Sequence, residues 1–412
     1  MMEPPESNPA DPPDTAPPRA GAGSLGLVMG GGGARAAYQV GFLRCVARRH
    51  PELEIPIITG VSAGAINAAL LAGHHGTFAQ AVDELSGLWQ GLTVDQVFRV
   101  DLACLVRNVV RWGLHLVSGG LLRGRGLKSL VDTAPLRRLL CETLHAVDGQ
   151  MTGIEANLER GRLRALAITT SSYTSGRSVT WVQGEGIQPW RRARRHACVS
   201  VLTVDHIMAS AALPLFFPAV RIGGEFFGDG GIRLTAPLSP ALHLGADRIM
   251  VISTRHEPPN GEASGGSDAS EVPRLEYPPP AQVMGVLLNA LFLDLLDDDV
   301  LRLERFNEVA GELGEPNALG LKRVELLTLR PSIDLGRLAG AYEADLPRGF
   351  RFLTRGLGTR ETRSPDALSM VLFQPDYICR LMDQGEADAE AQSSEIEAFL
   401  SASPPDPKVG AR

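Results

Sequence analysis

Ile55–Gly73 reads IPIITGVSAGAINAALLAG. Its opening, Ile55–Thr59, is a short apolar run with the composition of a buried strand. Its close, Ala63–Gly73, is small, apolar and free of proline, and reads as a helix. Between them lies Gly60-Val61-Ser62-Ala63-Gly64, a G-x-S-x-G pentapeptide in the strand–turn–helix setting that gives this motif meaning. A serine on so tight a turn is pushed out of the sheet edge. The flanking glycines tolerate the sharp backbone and leave room for a substrate. The helix N-terminus behind Ser62 favours a developing negative charge. The plain alternative is a glycine-rich turn with Ser62 as an ordinary N-cap; the strand before and the helix after favour a nucleophile.

Outward from this stretch, strand and helix patterns alternate. Leu25–Met29 reads as a strand, Ala34–Arg49 as a helix, Arg164–Thr170 and Val179–Val182 as strands, Ala236–Leu244 as a helix and Arg248–Thr254 as a strand. Such alternation predicts βαβ units, an α/β fold and a mostly parallel sheet. Helical spacing dominates 281–310 and 376–399.

Two further motifs carry chemistry. Gly30-Gly31-Gly32-Gly33-Ala34-Arg35 joins the first strand to the first helix. Consecutive glycines let several backbone N–H groups point at one anion, as a phosphate cradle or as an oxyanion hole. No Lys-Ser/Thr follows, which excludes a P-loop, and the dinucleotide pattern starting at Gly31 breaks at Ala36. Phe226-Phe227-Gly228-Asp229-Gly230-Gly231 sets an aspartate among glycines, accessible to a reacting group. Taken alone, Asp-Gly is also the signature of a hairpin turn.

In this order, the glycine nest, the G-x-S-x-G and the D-G-G resemble the patatin-like phospholipases, bacterial type. Ala209-Ser210-Ala211-Ala212-Leu213-Pro214-Leu215-Phe216-Phe217-Pro218 is similar to the segment that precedes that family's aspartate. The resemblance covers about residues 23–256. It implies a three-layer α/β domain with a mostly parallel central sheet and a Ser–Asp dyad that hydrolyses lipid acyl esters. By this likeness Ser62 matches the nucleophile and Asp229 the base. Gly31, Gly32 and Gly33 match the oxyanion hole, and Arg35 the basic residue after it; Gly60, Gly64 and Gly230 match supporting positions. Ala36 departs from the pattern, where the family usually has glycine. The chemistry calls for no metal and no cofactor. The rival is an α/β-hydrolase triad in the order Ser…Asp…His, with His256 or His243 as the histidine. Against it, only one strand and one helix precede the elbow's strand. A non-catalytic phosphate- or nucleotide-binding domain is the other alternative.

The chain has 412 residues, 40 basic and 47 acidic, for a net charge of −7. That balance argues against nucleic acid as a partner. Five scattered cysteines, Cys45, Cys104, Cys141, Cys198 and Cys379, form no CxxC pair, so neither a zinc site nor a disulfide framework is expected. No signal-like N-terminus and no run of eighteen apolar residues occurs; the expectation is a cytoplasmic protein, peripheral at membranes, with a lipid substrate. Residues 1–22 read as a disordered tail, 23–256 as the acyl hydrolase domain, 257–280 as a flexible linker or insertion, 281–400 as a helical C-terminal extension and 401–412 as a tail. Two apolar stretches are candidates for lipid contact or for core and lid helices, Phe98–Val117 and Ala281–Leu296. Arg191-Arg192-Ala193-Arg194-Arg195-His196 is a basic run that headgroups or solvent would accept.

Overall fold

The computed structural model describes residues 24–99, 129, 131–256, 278–313, 323–343, 346, 351 and 365–401. Apart from Phe98, Arg99, residues 278–280 and Ser401, the expected tails, the linker and the Phe98–Val117 stretch lie outside the described residues. Ten strands form one sheet: β1 (Leu25–Met29), β2 (Ile57–Val61), β3 (Ala165–Ser172), β4 (Ser178–Gly184), β5 (Arg191–Arg192), β6 (Arg195–Val199), β7 (Val220–Ile222), β8 (Glu225–Asp229), β9 (Arg248–Ile252) and β10 (Glu325–Leu329). The order is β10-β9-β1-β2-β3-β4-β6-β5, with β8 pairing both β3 and β7. From β10 to β3 every pairing is parallel.

Parallel strands are covered on both faces, and β1, β2 and β3 are accordingly buried along their whole length. Side chains alternate between two cores, as the two-residue period of a strand requires. Leu25, Leu27 and Met29 point to one face, packed with Phe42, Leu70 and Met382. Val28 points to the other, with Leu238, Leu244, Leu296 and Val300. The result is helix, sheet and helix in three layers.

The elbow strand sits two residues later than its composition suggests. Pro56 has no N–H for the ladder; its carbonyl instead accepts from Arg164 and Ala165 N–H at 2.7 and 3.1 Å. The ladder therefore runs over Ile57–Val61 and ends immediately before Ser62. The Asp229-Gly230 dipeptide is not the hairpin turn. That role falls to Gly223-Gly224, both at positive φ, between β7 and β8.

Within 281–400 the described helices span Pro280–Phe292, Asp294–Leu313, Leu335–Gly340, Asp366–Val371, Pro375–Ala391 and Ser393–Ser401, and β10 adds a strand beside β9. This region is built into the domain. Helices Ala37–Arg49 and Pro375–Ala391 approach so closely that a Cβ on Gly41 would lie 1.8 Å from Met382 O, and one on Gly385 2.1 Å from Tyr38 O. Tyr38 donates to Asp388, which also accepts from Ser332 N–H and Oγ. Around the rim, Arg48 and Arg49 pair with Glu386 and Glu390 in solvent. Because the helix contact is backbone on backbone, Gly385→Val should remove about 3 kcal/mol of stability in urea unfolding. Arg48→Ala, which loses only an exposed pair, should stay within about 1 kcal/mol. Equal losses would mean the C-terminal helix is merely tethered by charge.

Candidate active site

Strand β3 lends one edge to two partners. Along that edge Val61, the last residue of β2, lies opposite Thr169. The next position, Thr170, lies opposite Asp229, the last residue of antiparallel β8. The two strands run toward each other and stop one register step apart, so Ser62 and Asp229 meet over β3.

Ser62 holds φ 55° and ψ −130°, a conformation that L-residues rarely adopt. The elbow closes only without neighbouring side chains. A Cβ on Gly60 would lie 2.6 Å from Gly64 O, and one on Gly64 2.4 Å from both Met29 O and Gly30 O. Ser62 stands at the N-cap of the helix Ala63–Gly73, yet its side chain makes no capping hydrogen bond, so the ordinary-cap alternative is not realised. Ser62 N–H instead donates to Ser210 Oγ at 3.0 Å, and Ser210 Oγ donates to Thr169 O at 2.7 Å. Ser210, at the end of helix Val204–Ser210, thus pins the strained residue to β3.

Asp229 is fully buried. Its Oδ1 accepts Gly231 N–H at 2.9 Å, while Oδ2 has no hydrogen-bond partner. Burial pushes the carboxyl up to about 7, with the Gly231 N–H and the Ser62 hydroxyl pulling it back down. The Ser62 hydroxyl thus favours the ionised carboxylate, while Oδ2 itself stays unpartnered. Gly230 must be bare, because a Cβ there would lie 2.2 Å from Thr169 O.

The glycine nest completes the site. Gly31 faces the serine: a Cβ on it would sit 3.0 Å from Ser62 Cβ. Gly32 and Gly33 take φ of 137° and 58°, and Thr254 Oγ1 holds the turn by donating to Gly31 O at 3.0 Å. The N–H groups of Gly31, Gly32 and Gly33 donate to no carbonyl of the described residues, which leaves them available to an anion. Ala36 is accommodated: it is fully buried in the turn that follows, and its carbonyl accepts from Asn67. Arg35 is tied to the C-terminal region. It donates from Nε to Ser369 Oγ at 2.6 Å and pairs with Asp366.

The rival histidines are engaged elsewhere. His256 Nδ1 is 2.9 Å from Pro331 O, and His243 stacks on Trp190 at 4.7 Å. Among the described residues, neither oxygen of Asp229 meets an imidazole. The Arg191–His196 run forms β5 and β6 at the sheet's outer edge. Phe98, the described start of the first apolar stretch, is wholly buried against Phe216 and Phe217. The second stretch breaks at Leu293 into two helices.

From Ser62 an apolar cavity of about 770 Å³, counting its mouth, runs inward past Trp89, Leu140, Phe217, Met370 and Phe373. A hydroxyl beside a free carboxylate oxygen, three free N–H groups and a long apolar pocket can together bind an acyl ester and open it. A family model for patatin-like phospholipases matches residues 27–242. The chain belongs to the patatin-like phospholipase family, a family of lipid hydrolases. Among solved structures it is similar to human GIVD cytosolic phospholipase A2 in complex with methyl gamma-linolenyl fluorophosphonate (14% identity, TM-score 0.45), covering 92% of this chain and 59% of that one. It is also similar to VipD from Legionella pneumophila (13% identity, TM-score 0.34), covering 87% of this chain and 67% of that one. The type III effector ExoU of Pseudomonas aeruginosa aligns at 15% identity and TM-score 0.36, over 92% of this chain and 54% of its own. A search of curated proteins returns no match.

For a patatin-like phospholipase, part of the site lies outside the family stretch. A Cβ on Gly33 would lie 2.0 Å from Met370 O, and one on Gly231 2.3 Å from the ring of Phe292. Phe292, Asp366 and Met370 all follow residue 242. No local motif marks them, nor Thr254; Ser210 falls in the family-like Ala209–Pro218 segment, but only its partners show that it braces the elbow.

The buried carboxyl has a consequence for stability. Folded Asp229 titrates near about 7, against 3.8 for a free side chain. Folding therefore favours the neutral acid, and the ionised form weakens the fold progressively between about 4 and about 7, fully above that. Asp229→Asn removes the charge and should raise the melting temperature at pH 8, by up to roughly 4 kcal/mol of stability. The advantage should shrink as pH falls and vanish only below about pH 3, where the Asp229 carboxyl is protonated in the folded and the unfolded chain alike. A variant less stable than wild type at pH 8 would contradict the burial argument.

Proposed function

We infer that this protein cleaves fatty-acyl esters of phospholipids or lysophospholipids through a Ser62–Asp229 dyad and an acyl-enzyme intermediate. Ser62 Oγ attacks the ester carbonyl, forming the C–O bond, and its proton passes to Asp229 Oδ2. The carbonyl oxygen gains negative charge and accepts from the N–H groups of Gly31, Gly32 and Gly33, where each donor contributes a few kcal/mol to the transition state. Asp229 returns the proton to the departing alcohol as the ester bond breaks. Water then attacks the acyl-serine with Asp229 again as base, and the fatty acid leaves. The apolar cavity takes the acyl chain, and the reaction is carried out at a lipid surface.

One observation carries this reading: a wholly buried carboxyl beside the strained serine, one oxygen tied to Gly231 and the other left open. Burial keeps its basicity near neutrality, which suits a general base. Because the base must be ionised, hydrolysis should rise with pH through about 7 and then level off.

Turnover of a soluble p-nitrophenyl ester tests the assignment. Ser62→Ala and Asp229→Asn should each lower kcat by at least ~100-fold, and the double variant little further, since the pair acts as one unit. Only proteins with Ser62 and Asp229 intact should be labelled rapidly by a fluorophosphonate probe. His256→Ala and His243→Ala should keep most activity. A comparable loss in either histidine variant would replace the dyad with a triad. Equal turnover by Ser62→Ala would remove the reading altogether.

A further inference from the structure

The helix Pro280–Phe292, sequence PAQVMGVLLNALF, carries no charged residue. A buried helix of this composition is ordinary; this one is not buried. Val283 is 47% exposed, Met284 50%, Val286 64% and Leu287 53%. It rests on the protein through its smallest residues. Ala281 and Gly285 are its only buried positions, and a Cβ on Gly285 would come within 3.3 Å of Asp366 Cβ. Val283, Met284, Val286 and Leu287 are turned outward, while Leu288, Leu291 and Phe292 are half-buried.

What the helix rests on, and where it ends, connect it to the site. Asp366 is the partner of Arg35, which follows the glycine nest. The last helical residue, Phe292, presses its ring against Gly231, the residue that donates to Asp229. Phe292 also lines the cavity that opens from Ser62, and a second apolar cavity lined by Gly30 and Gly31. The exposed apolar surface is thus continuous, through Phe292, with the pocket that would take an acyl chain.

We propose that Pro280–Phe292 is the surface by which this protein enters a lipid layer, with Val283, Met284, Val286 and Leu287 seated among acyl chains and Phe292 at the passage from that layer to Ser62. The proposal deepens the acyl-hydrolase reading and rests on it for the nature of the partner. The chemistry favours a neutral, zwitterionic surface. The first charges after the helix, Asp294, Asp297, Asp298 and Asp299, are acidic, and Arg255 and Arg330 beside them are drawn into pairs with Asp294 and Asp297. Attachment is therefore apolar, and salt should have little influence on it. No described helix is long and apolar enough to cross a membrane, so the contact is at the interface.

The test is sedimentation of the full chain with phosphatidylcholine vesicles at low and high salt, in the Ser62→Ala background so that lipid is not consumed. Binding should occur at both salt concentrations, and Val286→Glu with Leu287→Glu should reduce it by at least ~10-fold. With Ser62 intact, the same pair of changes should leave p-nitrophenyl butyrate turnover unaltered while hydrolysis of vesicle lipid falls. The milder Val286→Ser with Leu287→Ser serves if the glutamates disturb folding, checked by circular dichroism. Undiminished binding by folded variants overturns the proposal. So does a drop in sedimentation coefficient without vesicles, which would make this face a contact between two copies of the chain. Because binding is read in a protein without Ser62, failure of the dyad assignment and failure of this surface are separately visible.

Discussion

One edge of β3 carries two strands that approach from opposite directions, and the rest of the site follows from where they stop. β2 ends opposite Thr169 and β8 ends opposite Thr170. Hydrogen-bond register, rather than any contact between the two side chains, sets the distance from Ser62 to Asp229. Shifting either strand by one residue would turn every side chain to the opposite face and separate the pair. The pins on this junction are small and specific: Ser210 ties the serine's N–H to Thr169 O, and Gly230 has just enough room to pass Thr169.

Such an arrangement stores strain. Ser62 sits at positive φ, and Asp229 is buried with one oxygen unpartnered. Each is unfavourable alone, at an order of 1–3 kcal/mol for the backbone and a similar amount for the unpaired acceptor. Both persist because β2 and β3 beside them are buried along their whole length and leave them nowhere to relax. The same burial that weakens the fold when Asp229 ionises is what makes its carboxylate basic.

The local demands of the site were legible in the sequence because backbone crowding acts on the residues that suffer it. Gly60 and Gly64 are glycine since a Cβ would strike the neighbouring backbone, so the G-x-S-x-G could be read before any fold was known. Asp229 among glycines was legible for the same reason, although Asp-Gly alone also reads as a hairpin turn and the real turn is Gly223-Gly224. What depends on long-range register was not legible. Ser210 lies 148 residues from Ser62, and Arg35 lies 331 residues from Asp366. β10 is a half-buried edge strand whose identity comes from its pairing with β9. Ala281–Leu296 illustrates the limit of hydropathy: apolar composition fitted core, lid and interface alike, and only its exposure and its break at Leu293 separate them.

The proposed dyad depends on a carboxyl that burial makes basic and that feels the serine hydroxyl beside it. Infrared difference titration reads this directly, following the protonated carboxyl band of wild type minus Asp229→Asn as pH is raised. The account predicts a band that disappears with a midpoint near pH 7, and a higher midpoint in Ser62→Ala, where the hydroxyl that stabilises the carboxylate is gone. A carboxyl already ionised at pH 5, or a midpoint indifferent to Ser62, would contradict it.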